Sequence, residues 1–295
     1  MKSSIDCIPC FVRQAADAAR IWSASEDERS RLVRSILQWI AEIDLTQSPP
    51  AISQIINRQV RRLLVMDDPY RAAKDSHNAL AATLIPSIRR RIAASFDPLI
   101  MAVRYAITGN IIDLGAKNGI GYGEIYEELQ SAPLQPIFGD METFKKACGQ
   151  GQTILYLADN AGEIFFDRLL IEQLSGAKVT LAVRGAPVIN DATRTDALAA
   201  ELEDLVEIID NGSDAPGTIL NDCSAEFRRR FDEADMVIAK GQGNFESLSD
   251  EPRDIFFLFR AKCPVISLHS EFSVGTYVAT NRFGCRDIST ERGVQ

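Results

Sequence analysis

The apolar positions of this chain keep a helical spacing over their first hundred residues and change it after about residue 150. Leu32, Ile36, Ile40 and Ile43 form one stripe, Ile55, Val60 and Leu64 a second, and Ile100, Val103 and Ile107 a third. A recurrence every three or four residues is the period of a helix that buries one face. The breaks between stripes have helix-start chemistry. Ser25-Glu26-Asp27-Glu28 puts acids in a first turn behind a capping serine, and Ser48-Pro49-Pro50 and Asp97-Pro98 place proline where its missing N–H is not needed. Within 71–94 the main breaker is Pro86. Residues 1–108 are therefore expected to be wholly helical. Gly109-Asn110 suits a C-terminal cap, 115–123 is glycine-rich and reads as a loop, and two short helices are expected around 123–131 and 141–148.

From Thr153 short apolar runs alternate with helical ones. They fall at 154–157, 179–183, 206–209, 236–239 and 265–268. Such alternation implies a parallel sheet covered by helices on both faces. Phe256-Phe257-Leu258-Phe259 reads as buried helix. Arg228-Arg229-Arg230 reads as a solvated face balanced by Glu226, Asp232 and Glu233.

Composition narrows the picture. At 295 residues the chain exceeds what one compact core usually absorbs, and 46% hydrophobic with 25% charged residues is ordinary for a soluble protein. A net charge of −9 argues against a nucleic-acid partner and means that an anionic ligand needs a local positive device. No apolar run is long enough to span a membrane, so no membrane partner is expected. The N-terminus lacks the apolar core of an export signal. Six cysteines, at 7, 10, 148, 223, 263 and 285, are then expected as reduced thiols of a cytoplasmic protein. Two histidines, His77 and His269, are too few for a His-rich zinc site; His269 reads as a polar loop residue. Cys7-Ile8-Pro9-Cys10 reads as a pair of small buried thiols at a helix start. A thiol-bound metal completed by a distant cysteine such as Cys285 is the alternative.

Three predicted strand ends carry chemistry. After 154–157 comes Asp159-Asn160-Ala161-Gly162-Glu163, an acid and an amide at a strand tip, then a glycine turn opening a helix. Ligands of open parallel sheets sit outside the carboxyl ends of strands, near helix N-termini. Oxygen donors there suit a hard cation, and a helix start suits an anion. After 179–183 comes Arg184, then Asn190-Asp191-Ala192-Thr193. Asp191 follows Asp159 by about one strand–helix–strand unit, and neighbouring strands lie about 4.8 Å apart. If the two strands are adjacent, Asp159, Asp191 and the Asn160 amide oxygen can form a partial all-oxygen shell of the kind magnesium or manganese takes. Each acid alone is better explained as a helix N-cap, and it is the pair on consecutive strand ends that points to a metal. After 236–239 comes Lys240-Gly241-Gln242-Gly243-Asn244. Its glycines admit close backbone approach and Lys240 is a point charge suited to phosphate oxygens. Glu246 stands where a dinucleotide fingerprint needs glycine, and a plain glycine turn with a solvated lysine is the alternative. Gly109-Asn110-Ile111-Ile112-Asp113 is a weaker signal, since Asn110 doubles as a cap.

These four motifs, in this order, resemble the damage-control phosphatase family, first catalogued as domain of unknown function 89. The Cys7-x-x-Cys10 start and the helical first part resemble its short microbial branch. The resemblance implies an α/β fold with a Rossmann-like three-layer α/β/α lobe (109–295) joined to an N-terminal all-helical lobe (1–108). It implies a metal-dependent phosphatase acting on a small phosphorylated metabolite, a sugar phosphate or damaged cofactor precursor, with a divalent cofactor (Mn, Ni, Co or Mg). It carries the metal ligands onto Asp159, Asn160 and Asp191, the phosphate lysine onto Lys240, and rim positions onto Asn110 and Asp113. On that reading Asp159, Asp191 and Lys240 are catalytic. Lys240 and the amides of the turn through Gly162 and Glu163 hold phosphate oxygens, and Arg184 is either a further phosphate contact or a surface arginine. Either aspartate accepts the proton of an attacking water, or a carboxylate attacks and forms an aspartyl-phosphate. Two other readings use the same strand ends. One is a non-catalytic binder of metal and nucleotide, the other an S-adenosylmethionine-dependent carboxyl methyltransferase, for which the 159–162 turn is poor in glycine.

Overall fold

In the computed structural model the described residues are 1–21, 25–112, 122–149, 151–270 and 272–281. The first part is helical as its stripes require: α1 (Ile8–Ile21), α2 (Glu26–Ile40), α3 (Pro49–Leu64), α4 (Arg71–Ala93) and α5 (Pro98–Thr108). Local chemistry sets the ends. Ser25 and Glu28 form a reciprocal capping box on α2, α3 begins with its two prolines, and Asp97 caps α5 through the Ile100 amide at 3.1 Å. Pro86 is accommodated inside α4. The later helices are α6 (Tyr122–Ser131), α7 (Met141–Ala147), α8 (Glu163–Ile171), α9 (Arg194–Ala199), α10 (Ala225–Glu233), α11 (Gln242–Leu248) and α12 (Pro264–Ser270). No described helix is long and apolar enough to cross a membrane.

Among the described residues seven strands make one sheet: β1 (Ile137–Phe138), β2 (Thr153–Leu157), β3 (Lys178–Val183), β4 (Glu207–Asp210), β5 (Met236–Lys240), β6 (Ile255–Arg260) and β7 (Tyr277–Thr280). Their order is β1-β7-β6-β5-β2-β3-β4, and every pairing is parallel except β6 with β7. The chain winds outward from β2 through β3 to β4, then returns to lay β5 on the other side of β2. The reversal opens a crevice above the tips of β2 and β5, the place where doubly wound sheets bind ligands.

The sheet is buried on both faces. Ile154, Tyr156, Met236, Ile238, Phe256 and Leu258 join one core, while Leu155, Leu157, Val237, Phe257 and Phe259 join the other. This two-sided burial explains two differences from the sequence pattern. Phe256-Phe257-Leu258-Phe259 belongs to β6, not a helix. A strand covered on both faces loses its polar alternation, so periodicity cannot separate it from a buried helix. The run 265–268, expected as a strand, lies in α12. Pro264 starts a helix there, with Ile266 buried and Leu268 82% exposed. His269 accordingly falls on α12 rather than in a loop.

The apolar core does not divide at residue 108. Ile85, Ile88 and Ile92 of α4 and Val103, Tyr105 and Ile107 of α5 pack in the same core as one face of the sheet. A separate core belongs to α1, α2 and α3, around Phe11, Ile36, Ile52 and Ile56. All five described cysteines are unbonded; Cys7 is buried but Cys10 is exposed, so the expected buried pair is split. Cys285 lies outside the described residues.

Phe257 is 1% exposed and its ring stands edge-on to Phe245 at 5.1 Å. Phe257→Ala should cost about 3–5 kcal/mol of unfolding free energy, read from urea denaturation with an unchanged slope.

Candidate active site

The tips of β2, β3 and β5 meet over one cleft of about 220 Å³, lined among others by Asp159, Asn160, Asn190 and Asp191. Adjacency of β2 and β3 sets this up, with Leu157 opposite Ala182. The chain beyond β3 then folds back on the tip of β2. The Ala192 amide donates to the Asp159 carbonyl at 2.8 Å, the Ala161 amide to the Asn190 carbonyl at 2.9 Å, and Asn160 and Asp191 form an isolated bridge. Asp159, Asn160 and Asp191 are all buried. Ile189, in the turn before them, sits at φ 41°. A β-branched residue in that left-handed region stores on the order of 1–3 kcal/mol, which the surrounding bonds must hold.

Asp159 lies directly on Gly241 at the tip of β5. A Cβ on Gly241 would fall 2.0 Å from Asp159 Oδ2, and its φ of +80° excludes most side chains independently. Two amides secure the carboxylate: Asn160 Nδ2 donates to Asp159 Oδ2 at 2.6 Å and Asn110 Nδ2 donates to it at 3.3 Å. The same amides also donate to Glu163 Oε2, at 2.9 and 2.7 Å. Asn110 is therefore an internal ligand of the acids rather than a helix cap. Its Oδ1 is buried and accepts no hydrogen bond among the described residues. Asn160 Oδ1 accepts from Asn190 Nδ2 at 2.7 Å.

Lys240 takes a different place from the one its motif suggests. It is 0% exposed, and its ammonium donates to Glu163 Oε1 at 2.8 Å, Asp167 Oδ1 at 2.5 Å and the Ala106 carbonyl at 2.9 Å. Three acceptors use all three N–H groups, so none remains for a phosphate oxygen in this arrangement. Burial alone would loosen the proton, but Asp167 and Glu163 more than offset this and hold it above the ordinary lysine value. Burial pushes Asp167 up to about 6, against the opposing pull of Lys240. Two of the turn amides are similarly engaged. The Ala161 amide is used as above, and the Gly162 amide donates to Asn78 Oδ1 of α4 at 2.7 Å. Gly162 itself has φ +75° and is pressed by His77 and Ile112. Arg184 is not a surface residue: it is 3% exposed and its Nε donates to Asp191 Oδ2 at 2.7 Å. Asp113 lies outside the described residues.

Sequence reasoning missed two cleft residues, Glu246 and Lys262. Lys262 is exposed, follows β6, and carried no motif signal; only the fold returns it to the tips of β2 and β5. Glu246 was read only as a missing glycine. Burial pushes its carboxyl up to about 7, while a 2.7 Å hydrogen bond from Gln242 and the nearby Lys262 pull it back. Burial, then the charges of Glu163 and Asp191, push Asp159 well above the usual carboxylate range, and Lys262 and Arg184 offset only part of this. The site is thus short of positive charge.

That shortage, the all-oxygen donor set and the acceptor left over on Asn110 fit a hard divalent cation. Among the described residues no three His, Cys, Asp or Glu side chains are gathered for a metal. The candidate shell is two acids and an amide.

An acid–amide cleft at the switch point of a Rossmann-like three-layer sheet defines the class. Residues 3–278 match the model of the damage-control phosphatase ARMT1-like domain. The chain is 33% identical to a damage-control phosphatase of Pyrococcus horikoshii, over 96% of this chain and 99% of that one. It is 33% identical to another of Archaeoglobus fulgidus, over 95% and 99%. The crystal structure of a DUF89 family protein from Pyrococcus horikoshii matches with a TM-score of 0.88 at 31% identity, covering 96% of this chain and 99% of that chain. The chain belongs to the damage-control phosphatase family.

Glu246 sets a pH test. Its folded value of about 7 lies above the ordinary glutamate value of 4.5. Its contribution to stability is therefore full below pH 4.5 and is lost as pH rises through 7. In metal-free buffer wild type should lose about 3 kcal/mol more than Glu246→Gln between pH 4 and pH 8, measured by denaturant titration at each pH.

Proposed function

We propose that this chain is a metal-dependent phosphomonoesterase acting on small phosphorylated metabolites such as sugar phosphates or damaged cofactor precursors. The observation that carries the reading is the convergence of Asp159, Asn160 and Asp191 on one cleft at the tips of two adjacent strands. These three residues would hold a divalent ion (Mn, Mg, Co or Ni), which supplies charge neutralisation and Lewis acidity at the phosphate.

The chain's own groups divide the remaining work. Lys262, the exposed cation of the cleft, takes the role first given to Lys240: it meets the phosphate oxygens and offsets charge in the transition state. Arg184 fixes Asp191 through its Nε–Oδ2 bond. Asn110 and Asn160 fix Asp159 through Oδ2. Either Asp159 or Asp191 would accept the proton of an attacking water. Glu163 and Lys240 are positioning residues, because their contacts are with the acids and amides of the site.

Hydrolysis of p-nitrophenyl phosphate with and without added Mn²⁺ tests the reading. Asp159→Ala should lower turnover by more than the roughly 10- to 100-fold typical of losing an outer partner of a metal ligand, and should abolish Mn²⁺ binding by calorimetry while unfolding stays cooperative. Full metal-dependent activity in Asp159→Ala would sink the assignment. Lys262→Met should raise KM about tenfold, the worth of one charge-assisted hydrogen bond, with Mn²⁺ affinity retained. A KM that does not move would remove Lys262 from the phosphate site.

A further inference from the structure

A second and larger cavity, about 440 Å³, adjoins the cleft. Its walls come from α1, α4 and the turn before Asp191, and Gln14, Ile189 and Asn190 line both spaces. The volume is that of a small-ligand pocket, whereas a phosphate group requires only the cleft. Ile21, Ala73 and Ile189 give it apolar faces against which a carbon skeleton can lie.

Its charge is opposite to that of the cleft. Arg13 and Arg20 face it, with Asp17 as the carboxylate among its walls. Arg20 Nη1 is paired with Asp17 Oδ1 at 2.6 Å. Arg13 forms no ion pair among the described residues; the groups that feel its charge include the neighbouring Cys10 thiol. In a chain of net charge −9 this is a local positive excess, carried by a guanidinium whose planar fork matches a carboxylate or phosphate. Gln14, next to Arg13 on α1, reaches the phosphate cleft, so a compact ester can touch both.

We propose that this cavity holds the leaving group of the phosphoester and that Arg13 selects leaving groups bearing a second anion, a carboxylate or a second phosphate. The inference rests on the phosphatase reading. Arg13 is exposed in the empty cavity, and selectivity follows when a leaving group covers it and displaces its water: a neutral polyol then leaves the guanidinium unpaired, whereas an anion satisfies it.

The test uses the full chain loaded with Mn²⁺ and two substrate pairs. The carboxylate arm compares 3-phosphoglycerate with glycerol 3-phosphate, and the phosphate arm compares fructose 1,6-bisphosphate with fructose 1-phosphate. Wild type should favour the second anion about tenfold or more in kcat/KM in at least one arm, and that arm identifies the anion. Arg13→Gln should reduce the favoured ratio about tenfold, Arg13→Lys should keep most of it, and Asp17→Asn should raise it. No preference in either arm, or an Arg13→Gln ratio equal to wild type, overturns the proposal. If no ester is hydrolysed, the phosphatase reading has failed. Calorimetry with 3-phosphoglycerate and fructose 1,6-bisphosphate then decides the cavity alone: about tenfold weaker binding of either by Arg13→Gln sustains it, and equal binding of both overturns it.

Discussion

The arrangement rests on one buried ammonium. Lys240, at the last position of β5, is closed off from water and ties together Glu163 and Asp167 of α8 and the Ala106 carbonyl of α5. Burying an ammonium and two carboxylates carries a desolvation cost of several kcal/mol per ion, repaid only when every partner is present. Tyr156 on β2 completes the set by donating to Asp167 at 2.8 Å. A single charge thereby ties two helices to two of the strands whose tips form the cleft. Everything above it inherits that position: Glu163 receives the Asn110 and Asn160 amides, and those amides hold Asp159.

Two consequences follow for anion recognition. The turn at Ala161 and Gly162 looks like a phosphate-binding helix start, yet those two amides are spent on Asn190 and on Asn78. They build the site rather than contact its ligand. Lys240 is likewise spent below the cleft. The lysine that lines the cleft is instead the exposed Lys262. Where the glycine-rich loop of a nucleotide-binding protein offers its backbone to phosphate, this fold uses its glycines to let acids approach: Gly241 has no side chain because Asp159 occupies that space.

The helical segment is not an appendage to the sheet. Through α4 and α5 it completes one face of the sheet core, and Asn78 joins Gly162 to Asp196 while Arg71 pairs with that same acid. The first three helices have their own core, but Gln54 and Arg58 of α3 reach Asp214 and Asp222 beyond β4. Helices α3 and α4 are thus held to the loops around the strand tips by ion pairs and hydrogen bonds.

Much of this was legible in the residues because it is local. Helical stripes, capping serines and prolines set the first five helices, since each depends on neighbours a few positions away. The acids at 159 and 191 were legible as a pair because a strand–helix–strand unit has a nearly fixed length. The tertiary structure alone decided the rest, and burial is the reason. Sheet coverage on both faces erased the alternation that would have marked Phe256 to Phe259 as strand. Packing on α8 sent Lys240 inward, although its motif looks the same whether the ammonium meets phosphate or Glu163. Chain reversal beside β2 brought Lys262 and Glu246 to Asp159 from far along the sequence. Sequence by itself determined which oxygen and nitrogen atoms stand at the strand tips; only the folded chain determined which of them face the cleft, because that depends on the partners that claim each one first.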